Sequence, residues 1–439
     1  LRNRFRIFSI VLTVLLTLII VWGCSGPSTT PAPAPPPAPP PAPAPTVTAT
    51  ATVTATATVP APAPTTAPAP PKAIVKPSTI TVAGFDVGGT AHILMGVVAE
   101  AWDKNFSIKM RYFPLGTGVA RTEAIRSGTA KIMTGSPDQF YAMEGLYDFT
   151  AIEWGPQTDI RLMWLMERTS PYSLATRDDG KINTMADIKG KKLPQVVASP
   201  SPNSLVMGSL AFAGLTTDDV QIVELSTFIA MYNGLQDGTI DAAPMAGDAA
   251  QAMQLAASPY GIKWIPMPPE DKEAWAAYNR YYPIAFPKEF TVGAGLTDAN
   301  PTWASCMYYP FLVGYKDRVT VDEAYWVTKL MNETHPDYVD KYIGAGSSDL
   351  AVNTLQKGEG LFLFPWHEGS IKYLKEIGAW TDRLERNQQA RLKRNEELKA
   401  LWDTVLGEAA DKGMKASEIP NYWNQRRAEV FPEYLSTLP

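Results

Sequence analysis

Three short stretches of this 439-residue chain place glycines beside hydroxyl, carboxylate or cationic side chains directly after a β-rich run. The first is Gly84-Phe85-Asp86-Val87-Gly88-Gly89-Thr90-Ala91-His92, after Thr79–Val82. The second is Pro114-Leu115-Gly116-Thr117-Gly118-Val119-Ala120-Arg121, and the third is Gly135-Ser136-Pro137-Asp138. A turn from strand to helix aims free N–H groups and the positive end of the helix dipole outward, so its chemistry is the capture of an anionic or carbonyl group. A plain βα turn has the same spelling. The candidate ligand-binding residues are Gly88, Gly89, Thr90, His92, Thr117, Gly118, Arg121 and Ser136, joined further along by Ser199, Ser201, Asn203 and Gly247. Arg121 opens a helix after Gly116-Thr117-Gly118, where a guanidinium and turn N–H groups could grip a carboxylate; the alternatives are a solvated arginine or an ion pair with Glu123.

Covalent chemistry finds less support. Asp86-Val87-Gly88-Gly89-Thr90 looks like the phosphate-binding turn of sugar kinases, but that turn joins two strands of a hairpin, and here a helical pattern follows at once. No Gly-x-Ser-x-Gly elbow, His-Glu-x-x-His or Cys–His pairing is present. The three histidines, His92, His335 and His367, have no metal-ligand spacing. The expectation is a non-enzyme without cofactor or metal. A net charge of −5 and the absence of any long basic block argue against nucleic-acid binding. Cys24 and Cys306 lie far apart in unlike settings, so a disulfide is not expected; Cys306, in the aromatic run Trp303–Phe311, reads as a buried thiol.

Positioning these turns requires an α/β framework. Ile93, Leu94, Val97, Val98, Ala101 and Trp102 give the first turn an amphipathic helix. Strands are expected at Thr79–Ala83, Ile108–Phe113, Lys131–Thr134 and Arg161–Met166, and a second unit begins near Thr176 with strands at Val196–Ser199, Gln221–Leu225 and Ile240–Ala243. Helices alternate with them, over Ser204–Ala213, from Phe228 to Gly238 and over Ala249–Ala257. Ile125-Arg126-Ser127-Gly128-Thr129-Ala130-Lys131-Ile132 parallels Leu235-Gln236-Asp237-Gly238-Thr239-Ile240-Asp241-Ala242, which predicts two lobes of like construction facing a cleft. After Trp380, Leu384, Leu392, Leu398, Leu401, Trp402 and Val405 form one stripe on a charged helix that packs back on the domain or pairs with another chain.

The N-terminal region is of another kind. Arg2, Arg4 and Arg6 precede the apolar run Ile7–Val21, then Trp22-Gly23-Cys24. This looks like a bacterial lipoprotein signal with Cys24 as the lipidated residue; the alternative is an uncleaved membrane anchor. Residues 25–78 hold 18 of the 39 prolines and no acid, a linker that cannot bury a core and stands the domain off the membrane.

Three stretches resemble the TAXI family of solute receptors, the extracytoplasmic binding proteins of tripartite (TRAP) transporters. They are Lys181-Ile182-Asn183-Thr184-Met185-Ala186-Asp187-Ile188-Lys189-Gly190-Lys191-Lys192, Leu235–Ala242, and Phe364-Pro365-Trp366-His367-Glu368-Gly369 continuing to Gly378. Their order and spacing agree over about residues 79–380. The resemblance implies a two-lobed type II periplasmic-binding-protein fold with a central ligand cleft and a hinge. It also implies capture of a carboxylate or amino-acid solute and delivery to TRAP permease subunits. The pocket turns depart from the family pattern: Ser199-Pro200-Ser201-Pro202 replaces its Gly-Ser-Gly-Thr. The expected organisation is a signal peptide over 1–24, a linker over 25–78, lobe 1 over 79–175 and lobe 2 over 176–280. A crossover and return to lobe 1 follows over 281–380, then a helical extension over 381–439. The expected location is the cell envelope, outside the cytoplasm. The competing reading is a membrane-tethered sensing or adhesion module on the same fold, without transport.

Overall fold

A computed structural model of the chain describes residues 73–354 and 364–431. The expected signal peptide with Cys24 and all but the last few residues of the expected linker lie outside the described residues. Among the described residues no helix is long and apolar enough to cross a membrane.

Lobe 1 starts with β1 (Thr79–Gly84), α1 (Thr90–Phe106), β2 (Lys109–Pro114), α2 (Gly118–Arg126), β3 (Ile132–Thr134) and α3 (Asp138–Glu144). β1 is the inner strand, parallel to both β2 and β3. Its Ile80, Val82 and Ala83 are buried, as are Ala91, Leu94, Met95, Val98, Ala101 and Trp102 on α1, so the expected apolar stripe is the face laid on the sheet. The helix begins at Thr90, directly after the glycines. The hairpin of a kinase-type phosphate turn is therefore absent.

β4 (Ile160–Glu167) leaves lobe 1, and residues 168–171 lead into β5 (Tyr172–Arg177) of lobe 2. There follow β6 (Lys192–Val196), α4 (Pro200–Phe212), β7 (Gln221–Leu225), α5 (Phe228–Asp237), β8 (Ala242–Ala246), α6 (Ala250–Ala256), β9 (Ile262–Trp264) and α7 (Lys272–Asn279). β6 and β7 pair in parallel, and β8-β5-β9 forms an antiparallel trio. Asp241 N donates to Lys192 O (2.8 Å), which sets β8 beside β6. After β10 (Ala285–Phe290), the 14-residue β11 (Thr302–Tyr315) returns the chain, antiparallel first to β10 and then to β4 and β3. Each lobe therefore orders its strands second, first, third, then a strand entering from the other lobe. This is the type II periplasmic-binding architecture, with β4–β5 and β11 as its two crossings.

The sequence parallel between 125–132 and 235–242 has a structural counterpart. Gly128 (φ +82°) and Gly238 (φ +86°) end α2 and α5 in the left-handed region. Ala130 N then donates to Ala124 O and Ile240 N to Gly234 O, while Lys131 N and Asp241 N reach back to the first strand of their own lobes. One expected strand is displaced: β6 covers Lys192–Val196, not Val196–Ser199. Pro194 and the flanking lysines obscure its pattern, yet Leu193, Pro194 and Val196 are its buried residues. α4 begins four residues earlier than expected, because Pro200 is well placed in a first helical turn.

The return over lobe 1 comprises α8 (Val321–Glu333), α9 (His335–Tyr338), α10 (Leu350–Thr354) and α11 (Glu368–Glu376). Cys306 is a buried free thiol, and burial pushes it up to about 12. The extension is a hairpin of α12 (Asp382–Asp411) and α13 (Ile419–Val430) that packs back on lobe 1. Trp402 meets Trp423 edge-to-face, and Trp423 Nε1 donates to Gly145 O (2.6 Å). Its charges do not all face solvent. Arg391 and Arg394 lie on the buried side of α12, alternating with Leu384, Leu398, Trp402 and Val405.

Candidate functional site

The C-terminal ends of β1, β3, β4 and β8 converge where the lobes meet, the position at which α/β sheets receive ligands. A cavity partly open to solvent lies there, with about 670 Å³ of empty space when the open solvent at its mouth is included. Lobe 1 contributes Phe85, Asp86, Gly89, Thr90, Ser136 and Pro137; lobe 2 contributes Ser201, Phe228, Ile229, Tyr232 and Ala246; the crossings contribute Arg168, Tyr172, Met307 and Tyr309. This mixed lining suits a small organic ligand.

Arg168 stands at the first crossing, its N–H bonded to Met307 O of the second. Its Nη2 meets Asp248 Oδ1 at 2.6 Å and Ser170 Oγ at 3.2 Å, and Thr90 Oγ1 donates to the same Asp248 oxygen (3.1 Å). Asp248 thus joins the hinge, lobe 1 and lobe 2. Burial is the largest single influence and works against the Arg168 charge, but Asp248 together with Tyr309, Tyr342 and Tyr232 outweighs it and holds the guanidinium above its ordinary range. Burial also pushes the phenols of Tyr172, Tyr232 and Tyr309 up, the last two to about 12, so all three rings remain neutral. Tyr172 Oη and Ser201 Oγ are near enough to influence each other, yet neither makes a well-formed hydrogen bond. Two buried hydroxyls on the wall of one cavity without partners are polar groups open to a ligand.

A second constellation lies beside the cavity. Arg121 is fully buried and gives Nη2 to Asp138 Oδ2 (3.1 Å) and Nη1 to Leu115 O (3.1 Å), with its guanidinium 3.7 Å from the Phe85 ring centre. It is neither solvated nor paired with Glu123, which bonds Arg126 instead. Asp138 accepts from Ser136 Oγ (2.7 Å) and, across the cleft, from Ser201 N (2.7 Å) in the first turn of α4. Gly118 N–H meets Ser199 Oγ (3.4 Å), and Val119 N donates to Ala198 O (3.2 Å). The lobes are in direct contact here. An aspartate of the protein occupies the guanidinium and the helix start that, by sequence, could form an anion grip.

Of the candidates, Gly89, Thr90, Ser136 and Ser201 line the cavity. Gly118, Arg121 and Ser199 belong to the contact around Asp138. The others hold the scaffold. Gly88 N–H points at His92 Nδ1 (3.4 Å), and His92 packs edge-on against Tyr112. Thr117 caps α2 by accepting from Ala120 N (3.2 Å). Asn203 exchanges two 2.8 Å hydrogen bonds with the Val196 backbone. Gly247 bonds Pro171 O and Ala294 N at the hinge. Asp86, Arg168, Tyr172, Phe228, Tyr232 and Tyr309 are cavity residues absent from the candidates. Phe228 and Tyr232 sit four apart on α5, one shared face, and Arg168 lies two residues past the expected strand Arg161–Met166; those spacings are the available signals.

No curated protein matches the chain. Among solved structures, it is similar to the periplasmic aliphatic sulphonate binding protein SsuA from Escherichia coli at 15% identity. That match covers 74% of this chain and 89% of that one, with a TM-score of 0.38. The alkanesulfonate-binding protein SsuA from Xanthomonas axonopodis pv. citri, bound to MOPS, matches at 12% identity over 76% and 94% of the two chains, TM-score 0.39. An ABC transporter periplasmic substrate-binding protein from Coxiella burnetii matches at 15% identity over 61% and 98%, TM-score 0.36. Residues 86–378, more than half of the chain and the whole of the two-lobed body from the first cavity turn onward, match the NMT1-like family, and the chain belongs to that family.

Proposed function

We propose that this protein is an extracytoplasmic solute receptor that closes its two lobes on a small molecule and presents it to membrane transport subunits. The observation that carries this reading is the cavity between the lobes, lined from both sides and from both crossings, with two unpartnered hydroxyls in its wall. In such a site, parting of the lobes frees the ligand and their closing holds it. Its buried ionic groups are matched with each other and with tyrosines of the wall, an arrangement for holding a molecule and not for turning one over.

For the transporter type, our reading is the TAXI branch of TRAP systems, and its support is the sequence resemblance. The three stretches that carry it fall on scaffold: the exposed Thr184–Asp187 capping box, the α5–β8 turn, and the segment at which Trp366 bridges Leu162. None of them lines the cavity, so they bear on the receptor's class and leave its solute open. Among the described residues lining the cavity, Arg168 is the one cation for a carboxylate solute to meet, and Arg121 beside it is held by Asp138. We retain Cys24 as the lipid-attachment site and residues 25–78 as the tether.

The test is thermal. The purified full chain, heated with a panel of amino acids, organic acids and amines, is expected to melt higher with at least one member. A ligand at about 100 times its Kd adds roughly 2.7 kcal/mol. A flat response across the panel would favour the tethered interaction module instead.

A further inference from the structure

The charges around the cavity do not cancel, and on the receptor reading, which this inference needs, they bear on the kind of solute. Arg168 is matched by Asp248, and Arg121 by Asp138. Asp86 lines the cavity and is half-buried, and its carboxylate makes no ion pair or hydrogen bond with any described residue. Arg121 is within electrostatic reach, but its charge is already engaged. The Asp86 carboxylate rests over Gly116: a Cβ there would fall 2.9 Å from Oδ2 and 3.2 Å from Oδ1. The loop after β2 therefore leaves space for this carboxylate that a side chain would fill.

The wall of the cavity that Asp86 lines is largely aromatic, with Phe85, Tyr172, Phe228, Tyr232 and Tyr309. Four of these rings are buried, and the three phenols are neutral, so the wall offers aromatic surface and no further anion; Arg121 already lies over the Phe85 ring, and Arg168 stands 5.9 Å from the Tyr172 and Tyr309 ring centres. One uncompensated carboxylate among ring faces is the chemistry that holds an organic cation, by charge and by cation–π attraction together. A carboxylate solute would instead bring a second negative charge into the same partly enclosed space.

We propose that the solute carries a cationic nitrogen, an ammonium or quaternary ammonium, seated against Asp86 among these rings. Its polar end turns toward Tyr172 Oη and Ser201 Oγ.

Two sets of near-isosteric compounds test this by calorimetry on the full chain: choline, 3,3-dimethylbutanol and 3,3-dimethylbutyrate; and phenethylammonium, 3-phenylpropanol and 3-phenylpropionate. In at least one set the cation is expected to bind about tenfold or more tightly than its neutral and anionic partners. Asp86→Asn is expected to remove that preference while Asp86→Glu keeps it. The melting temperatures of both variants without solute report whether they are folded. If a neutral or anionic compound binds as well as the cation, the cation assignment falls and the receptor reading stands. Unaltered cation binding by a folded Asp86→Asn variant overturns the role of Asp86. If no compound of either set binds, the cation assignment falls, and the broader thermal panel decides the receptor reading separately.

Discussion

Glu144→Gln is expected to destabilise the docking of the C-terminal hairpin by about 3–5 kcal/mol. Glu144 ends α3 and is buried, with Oε1 on Arg394 Nε (2.7 Å), Oε2 on Arg394 Nη2 (2.8 Å), and Arg427 Nη2 on the same Oε2. One carboxylate thus ties both helices of the extension to lobe 1. Burial alone would raise its pKa, but the two guanidiniums outweigh burial and hold it below the ordinary carboxylate range. This stabilisation is therefore complete above the ordinary value of 4.5 and is lost as pH falls through the lower, folded value. The amide in Glu144→Gln would leave two buried guanidiniums facing a neutral group, with Arg391 close by. Arg391 is itself pushed down to about 10 by burial and by the neighbouring Arg394 charge. The measurement is hydrogen exchange over residues 382–431, expected to quicken there well before the lobes unfold. Equal protection in variant and parent would show that Trp402, Trp423 and the apolar face hold the hairpin without the ions.

This buried ionic cluster also marks the limit of what the chain's pattern discloses. Period and punctuation are sufficient for the framework. The stripe from Ile93 to Trp102 and the twin Gly–Thr turns at 128 and 238 report local geometry, and local geometry is what the order of residues encodes most directly. Arg391 and Arg394 look like the solvated side of a charged helix, because Glu144 lies some 250 positions earlier and only the tertiary fold brings them together. The site divides in the same way. Thr90 and Ser201 follow from their places in strand-to-helix turns. Tyr172 falls outside every expected element and Tyr309 lies in the aromatic run around Cys306; they become cavity wall only because the two crossings carry them there. Arg121 is legible as a cation at a turn, but whether it faces solute or protein depends on Asp138, seventeen residues away on another element.

That pairing leads to the second large effect. Asp138→Ala is expected to cost about 3–5 kcal/mol and to part the lobes. Burial pushes the Asp138 carboxyl up and the Arg121 guanidinium down, so both ions sit where charge is disfavoured and each depends on the other. Without Asp138, Arg121 retains Leu115 O, the Phe85 face and the more distant Asp86 charge, and the Ser201 N–H loses its acceptor across the cleft. These two losses can be separated. Removing both charges with Arg121→Met and Asp138→Leu is expected to restore much of the stability, since no unpaired ion remains. It does not restore the link to α4, so the scattering radius should stay larger than that of the parent. The single variant carries a further consequence for binding. It leaves a buried guanidinium and a free helix-start N–H facing each other across a gap, a receptor for a small carboxylate. Acetate or formate at millimolar concentration is therefore expected to raise the melting temperature of Asp138→Ala and to leave the parent unmoved. An equal response in both proteins would mean that Asp138 does not hold that place, and that the contact between the lobes rests on the other hydrogen bonds across it, such as Gly118–Ser199, Val119–Ala198, Tyr141–Ser204 and Thr90–Asp248.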